Sequence, residues 1–210
     1  MATRHSSEYD HRREALATYF DSTARQAWID LTSDAKVSGI RATVRAGRDA
    51  MRANLLDWLP TDLRRTKVLD AGCGTGSLAV AAACRGAEVT GIDVAAGLVE
   101  VARERTPSFI GHGRIHWRSG DMLDPQLGTF AHVVAMDSLI HYDDGDILGV
   151  LRAWSQRSRH IVKSGNIFVV SYHNKKISFI SQICSKFDVG CVIANSPCHS
   201  KGLLTITMYF

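Results

Sequence analysis

The residues with chemistry to offer sit at regular places in an alternating pattern. Asp70-Ala71-Gly72-Cys73-Gly74-Thr75-Gly76 puts an acid at the end of the apolar run begun at Lys67, then three glycines on alternate positions. An alanine-rich stretch from Ser77 to Arg85 follows at once. Strand, tight turn and helix in that order open an α/β nucleotide-binding unit. Glycine suits the turn because the chain reverses sharply there and because a ligand can approach bare backbone. Read alone, such a turn is also an ordinary βα loop. Three more acids follow at predicted strand ends: Asp93, Asp121 (followed by Met122) and Asp137. Ligands of an open parallel sheet bind beyond the carboxyl ends of its strands. One acid after a strand is often only a cap or turn former, but four in the same layer point to a site.

The residue types narrow the ligand. Acids and bare carbonyls suit a cationic group, whereas a phosphate site wants Lys or Arg, and no Gly-Lys-Ser/Thr follows the turn. A dinucleotide fingerprint needs a third glycine where this chain has Ser77, which disfavours a nicotinamide dehydrogenase. Asp93, about twenty residues past the turn, is placed to accept ribose hydroxyls, as ribose readers do.

The elements that must position these residues read in order. Glu8 to Trp28 is a predicted helix with Leu16, Tyr19, Phe20 and Trp28 as apolar or aromatic anchors. Asp34 is suited to cap a second helix, whose apolar positions Val37, Ile40, Val44, Met51, Leu55 and Trp58 recur every three to four residues. Arg41, Arg45, Arg48 and Arg52 occupy its other face, as solvated surface or as partners for substrate carboxylates. Pro60 closes this helix. Strands are predicted over 67–70, 88–92, 114–118 and 131–136, helices over 77–85 (with Gly86 as its C-terminal cap), 95–105 and about 146–157. A further strand begins at 159–162 and runs on toward Ser171. Such alternation implies a mostly parallel twisted sheet with helices on both faces.

At 210 residues the chain is long enough for one well-buried domain. It has no apolar run near the ~20 residues of a membrane helix. Its polar start is not a secretory signal, and five scattered cysteines suit free thiols in a reducing cytosol. Charge is unevenly spread: residues 1–162 balance, and the net +4 comes from 163–210, where five Lys face Asp188 alone. A basic tail is a solvent-facing end, an attraction to anionic membranes or nucleic acid, or the mark of a rearranged gene end. Arginine stops at Arg159.

Asp70-x-Gly72-x-Gly74-x-Gly76 resembles the first motif of class I S-adenosylmethionine-dependent methyltransferases. With Tyr19-Phe20-Asp21, Thr43 to Arg48, and Ala135-Met136-Asp137-Ser138-Leu139-Ile140-His141-Tyr142, residues 10–162 resemble the magnesium protoporphyrin IX O-methyltransferase family of (bacterio)chlorophyll biosynthesis. The resemblance implies a Rossmann-like fold, with residues 1–60 as a helical lid, 61–162 as the donor-binding core and 163–210 as a divergent segment. It implies S-adenosylmethionine as co-substrate, bound by Asp70, Gly72, Gly74, Gly76, Asp93, Asp121, Met122 and Asp137. In the family pattern Asp121 and Met122 hold the adenine, and Asp70 and Asp137 bracket the methionine end. The implied reaction is methyl transfer to one propionate of Mg-protoporphyrin IX. A propionate is already ionised at neutral pH, its pKa resembling the ~4.3 of Glu, so alignment and desolvation do the work of a base. His141 is then expected to orient the propionate, or to take a proton if the acid binds neutral, and Tyr19 to offer a second donor. Packing roles for both, and an axial place for His141 on the magnesium, stay open, although that cation prefers oxygen. The chain itself is expected to hold no metal. Phe20, Trp28, Val37, Ile40 and Val44 are expected to help cover the macrocycle. A magnesium chelatase subunit and a peripheral membrane contact are expected partners, nucleic acid is not, and the location is cytoplasmic or at photosynthetic membranes.

The resemblance fails after about residue 162. Lys163-Ser164-Gly165-Asn166 departs from the family's next strand, and only Ile167 to Val170 and Leu203 to Phe210 have strand character, so incomplete C-terminal strands are expected. Cys184, Cys191, Cys198 and His199 fit no common zinc spacing. Alternatives to the porphyrin reading are another small-molecule methyltransferase, or a donor-binding but inactive product of an altered gene end.

Overall fold

A computed structural model of the chain describes residues 7–36, 38–158, 166–171, 190–195 and 204–209. Among the described residues seven strands form one sheet: β1 (Lys67–Ala71), β2 (Glu88–Asp93), β3 (Arg114–Ser119), β4 (His132–Met136), β5 (Asn166–Ser171), β6 (Gly190–Asn195) and β7 (Leu204–Tyr209). Their order is β3-β2-β1-β4-β5-β7-β6. The first five are parallel to one another, and β7 runs antiparallel between β5 and β6. Chain order reverses between β1 and β4, which opens a crevice at their carboxyl ends.

Central strands are buried on both faces, as parallel strands between helices must be. Along β4, Val133 and Ala135 join one core with Leu69, Phe130 and Trp154. Val134 and Met136 join the opposite core with Val68, Leu78 and Ala82. The period of two thus divides one strand between two layers. Helix α4 (Ser77–Cys84) connects β1 to β2, α5 (Ala96–Glu104) connects β2 to β3, and α6 (Asp144–Ser158) follows β4.

The predicted Glu8–Trp28 helix is three pieces: α1 (Ser7–Thr18), a π-helical turn (Tyr19–Thr23) and α2 (Arg25–Leu31). The wider turn re-aims the chain, so that Phe20 enters the crevice while Asp21 reaches α5. Helix α3 spans Gly39–Trp58 with Ser38 at its N-cap, which corrects the expected start at Asp34. Thr32 and Ser33 hydroxyls donate back to carbonyls of α2, and Arg45 from α3 donates to the Asp30, Leu31 and Ala35 carbonyls. That wrapped turn delays the second helix.

The C-terminal segment extends this sheet, with β5 and β7 at the two stretches of expected strand character. Backbone of the 163–210 segment supplies three strands to the same sheet as the 61–162 core, in register over six residues at both antiparallel pairings. Gly190–Asn195 was not expected as a strand. Its apolar run is short, and its pairing comes entirely from β7, so no local signal marks it. Val37, residues 159–165, Cys184, Cys198 and His199 lie outside the described residues.

Helix α3 is held by Met51 and Leu55, both fully buried in the layer shared with α4. Leu55→Ala is expected to cost about 2–5 kcal/mol, the usual range for a truncated core leucine. Urea unfolding checks it, and a loss below about 1 kcal/mol would show that α3 is not anchored there.

Candidate active site

The crevice between the strand ends and the N-terminal helices forms one cleft. Asp70, Gly72, Gly74, Asp93, Met122, Asp137 and His141 all line it, together with Phe20 and Trp28 from above. Three of the four strand-end acids therefore converge. The fourth, Asp121, does not line the cleft, although its neighbours Gly120 and Met122 do. Its carboxylate faces α1 and accepts hydrogen bonds from Tyr9 and Arg13.

The glycines divide by role. A Cβ on Gly74 would stand 3.1 Å from Trp28 Nε1, under the lid and beside the ligand space. Gly76 (φ +84°) is outside the cleft, and its Cβ would meet Trp117 at 2.4 Å. Its backbone conformation and the indole behind it both require glycine, so packing rather than ligand approach accounts for it. The expected cofactor contact at Gly76 is replaced by this structural one.

Each acid has its own environment. Asp93 Oδ2 accepts from the Gly74 N–H at 2.8 Å and Oδ1 from the Ala95 N–H at 2.9 Å. It ties the glycine turn to the start of α5 and keeps further acceptor capacity. Asp70 is 2% exposed, and its Oδ2 is buried with no hydrogen-bond partner among the described residues. Burial foremost, then repulsion from Asp93, pushes the Asp70 carboxyl up to about 7, partly offset by the Ala79 N–H. Burial likewise raises Asp93. Asp137 adopts φ +57°, a left-handed conformation that Asp tolerates better than most residues. Its Oδ2 meets Arg48 Nη1 at 2.8 Å, with the two side chains 11% and 13% exposed. The Arg48 guanidinium also lies 4.4 Å over the Trp28 ring, a cation–π contact.

His141 stands in a 3-10 turn (Leu139–His141) after β4, with its ring edge-on to Phe20 at 5.5 Å. Phe20 also packs edge-on against Trp28 and Tyr19. Tyr19 itself is 51% exposed and outside the cleft, so the structure does not bring it to His141 directly. Of the proposed cover, Phe20 and Trp28 line the cleft, whereas Ile40 (83% exposed) and Val44 (44% exposed) do not.

The family described as methyltransferase domain matches residues 68–160. A magnesium-protoporphyrin O-methyltransferase of Rhodobacter capsulatus is 46% identical over 157 residues, covering 74% of this chain and 70% of that protein. The chain belongs to the magnesium-protoporphyrin O-methyltransferase family. A second member, from Synechocystis, is 31% identical over 59% of this chain and 55% of its own length. The solved magnesium protoporphyrin IX methyltransferase of Synechocystis with bound SAM superposes with a TM-score of 0.79 over 94% of this chain and 96% of that one, at 20% identity. That likeness is one of fold.

The residues present fit the donor that this superfamily uses. Its amino-acid end carries an ammonium and a carboxylate beside a sulfonium, and the cleft offers Asp70, Asp93 and Asp137 against one guanidinium, Arg48, among its described lining residues. A buried Asp70 oxygen and a buried Ser138 hydroxyl are both orphaned, as polar atoms awaiting a ligand are. Sequence reasoning singled out neither Ser138 nor Arg48 as a donor ligand. The signal for Ser138 was its place directly after a strand-end acid; the signal for Arg48 was only its helical face.

Because the folded Asp70 carboxyl titrates near 7, above its ordinary value, its burial costs nothing at low pH. That cost grows as pH rises toward 7 and is complete above it. Asp70→Asn removes the charge while keeping the shape. The variant's melting temperature is expected to exceed the parent's by a margin that widens between pH 5 and pH 8 in donor-free protein, read by calorimetry. A margin independent of pH would contradict the assignment.

Proposed function

We propose that this chain transfers a methyl group from S-adenosylmethionine to a propionate carboxylate of Mg-protoporphyrin IX, yielding the monomethyl ester. The observation that carries the reading is the gathering of Asp70, Asp93 and Asp137 around one cleft that His141 also lines, in a member of this family. When bound, the donor supplies a methyl carbon made electrophilic by positively charged sulfur.

The chain's own residues bind, orient and exclude water. Asp93 has lone pairs left for the ribose hydroxyls. Met122 offers an apolar face to the adenine. Asp70, Ser138 and Asp137 receive the ammonium, and Arg48, already beside Asp137, receives the donor's carboxylate by charge-assisted hydrogen bonds. Phe20 and Trp28 shield the cleft from solvent on the lid side. Stripping water from an acceptor carboxylate raises its reactivity, and holding it in line with the methyl group lowers the entropic part of the barrier. His141 orients that carboxylate by hydrogen bond. No general base is needed because the acceptor ionises near pH 4 to 5, like Glu at about 4.3.

Incubation with Mg-protoporphyrin IX and methyl-labelled S-adenosylmethionine is expected to give a labelled ester that alkali releases as methanol. Unlabelled porphyrin, from protein that binds the donor by calorimetry, would instead identify a donor-binding but inactive chain. His141→Ala is expected to lower turnover by roughly 10- to 100-fold, the scale of a lost orienting contact, with donor affinity nearly unchanged. Turnover equal to the parent's would remove His141 from the mechanism.

A further inference from the structure

The N-terminal helices meet the cleft through a turn that apolar burial does not hold. None of the residues of the π-helical turn Tyr19–Thr23 or of α2 is buried. The turn is closed by the Ala24 N–H donating to the Tyr19 carbonyl at 2.9 Å, one residue wider than an α-helical turn. Asp21, at its centre, reaches α5: Oδ2 accepts from the Ala96 N–H at 3.0 Å and Oδ1 from the Gly97 N–H at 2.7 Å. Gly97 leaves room for that approach, since a Cβ there would stand 2.6 Å from Arg25 Nε and 2.9 Å from Asp21 Oδ1. The far end of α5 grips the same cover, where Arg105 donates to the Ile29 and Thr32 carbonyls. Val94 and Leu98, on either side of the two donating amides, line the cleft, so Asp21 is fastened to a wall of the site. Its neighbour Phe20 lines the same cleft and stands edge-on to His141 at 5.5 Å and to Trp28 at 5.6 Å.

We propose that Asp21 is a positioning residue for the methyl transfer: by taking the first two amides of α5 it fixes the π-helical turn so that Phe20 holds the His141 ring at the acceptor side of the cleft. A helix start offers unpaired N–H groups and the positive end of the dipole. A carboxylate that accepts two of them is fixed in direction as well as in place. Phe20 is the next residue along the backbone, so its ring is placed once Asp21 is. That ring restricts the imidazole by packing and brings no hydrogen-bonding group of its own, so it does not compete for the N–H that an acceptor carboxylate uses. The two amides follow directly on the Ala95 N–H, which Asp93 accepts. One helix start thus joins the donor's side of the cleft to the acceptor's. Asp21 does not itself line the cleft and acts through Phe20.

This inference rests on the acceptor reading above, and the experiment separates the two. The ring carbon–proton NMR signal of His141, assigned by its absence from His141→Ala, is recorded in the donor-free parent, Phe20→Leu, Asp21→Ala, Gly97→Ala and the double variant Phe20→Leu/Asp21→Ala. Phe20→Leu removes the ring current felt at His141 and sets the size of the shift. Asp21→Ala and Gly97→Ala are each expected to move the signal in the same direction, and the double variant no further than Phe20→Leu alone. A His141 signal left at the parent's position by Asp21→Ala overturns the proposal. Gly97→Ala keeps the Asp21 and Asp93 carboxylates and puts a better helix former into α5, so a shift there in protein that melts no lower than the parent is not a loss of fold. With Mg-protoporphyrin IX and methyl-labelled donor, Asp21→Ala is expected to lose about three- to tenfold in kcat, less than removal of the orienting contact itself. Combined with Phe20→Leu it should add no further loss, as residues acting in series behave. Losses that multiply would give Asp21 a merely structural role and overturn the proposal. A parent that yields no ester refutes the porphyrin reading, while the His141 signal still decides whether Asp21 positions that ring.

Discussion

Everything in this site follows from carboxylates held where water cannot solvate them. Asp70 and Asp93 lie at the ends of adjacent strands, and burial raises the pKa of each, with mutual repulsion adding to it at Asp70. Two like charges in a low-dielectric layer disfavour the folded state unless something positive joins them. The surrounding structure partly compensates: the glycine turn donates one N–H to Asp93, and Ala79 donates one toward Asp70. What remains uncompensated is the Asp70 oxygen facing the cleft. A cationic ligand therefore gains from a field that the empty fold had to overcome. This is preorganisation, with the reorganisation cost met during folding instead of during binding.

The N-terminal helices relate to this field differently from the core. Helix α3 is secured by buried Met51 and Leu55 at its far end, and near the cleft polar attachments join the aromatic contacts of Tyr9 and Phe20 with Tyr142 and His141. Asp21 accepts from the Ala96 and Gly97 N–H groups at the start of α5, where the helix dipole favours a negative charge. Arg45 and Arg105 satisfy the terminal carbonyls of α2, which a helix end otherwise leaves to water. Each such bond, made by a charged group, contributes about 1.5–3 kcal/mol net, because water can replace most of it. A cover joined by exchangeable bonds is easier to lift than one sealed by apolar area. That suits an enzyme whose proposed acceptor is a rigid macrocycle far larger than the carboxylate being methylated.

How much was legible in the sequence depended on the range of the interactions. The first four strands and the helices between them were legible to within about two residues, because alternation, a strand-end acid and Gly86 are local signals. The acids' positions at strand ends followed directly. Their environments did not: Arg48 meets Asp137 across 89 positions and Tyr9 meets Asp121 across 112, and no periodicity encodes such pairings. The arginine face of α3 shows the same limit. Four similar side chains read as one stripe, yet Arg45 caps α2, Arg48 pairs with Asp137 and Arg52 with Asp49. Strand β6 escaped notice because its pairing lies wholly with a strand later in the chain.

Titration behaviour separates the two charges that must coexist for reaction. The acceptor carboxylate is ionised from about pH 5 upward, judged by a Glu-like value near 4.3, and Tyr9 and Tyr142 are pushed upward, the latter to about 12. Asp70, pushed up to about 7 in the donor-free protein, changes state in the neutral range. Below that pH it holds a proton that an incoming ammonium must displace; above it the negative charge is already present. Cation binding draws its pKa back down, so the occupied site tolerates more acid than the vacant one. Loading of the donor is therefore sensitive to pH in this range. The His141 ring stands edge-on to Phe20 in the lining of the cleft, and an orienting hydrogen bond to an anion asks of an imidazole only an N–H.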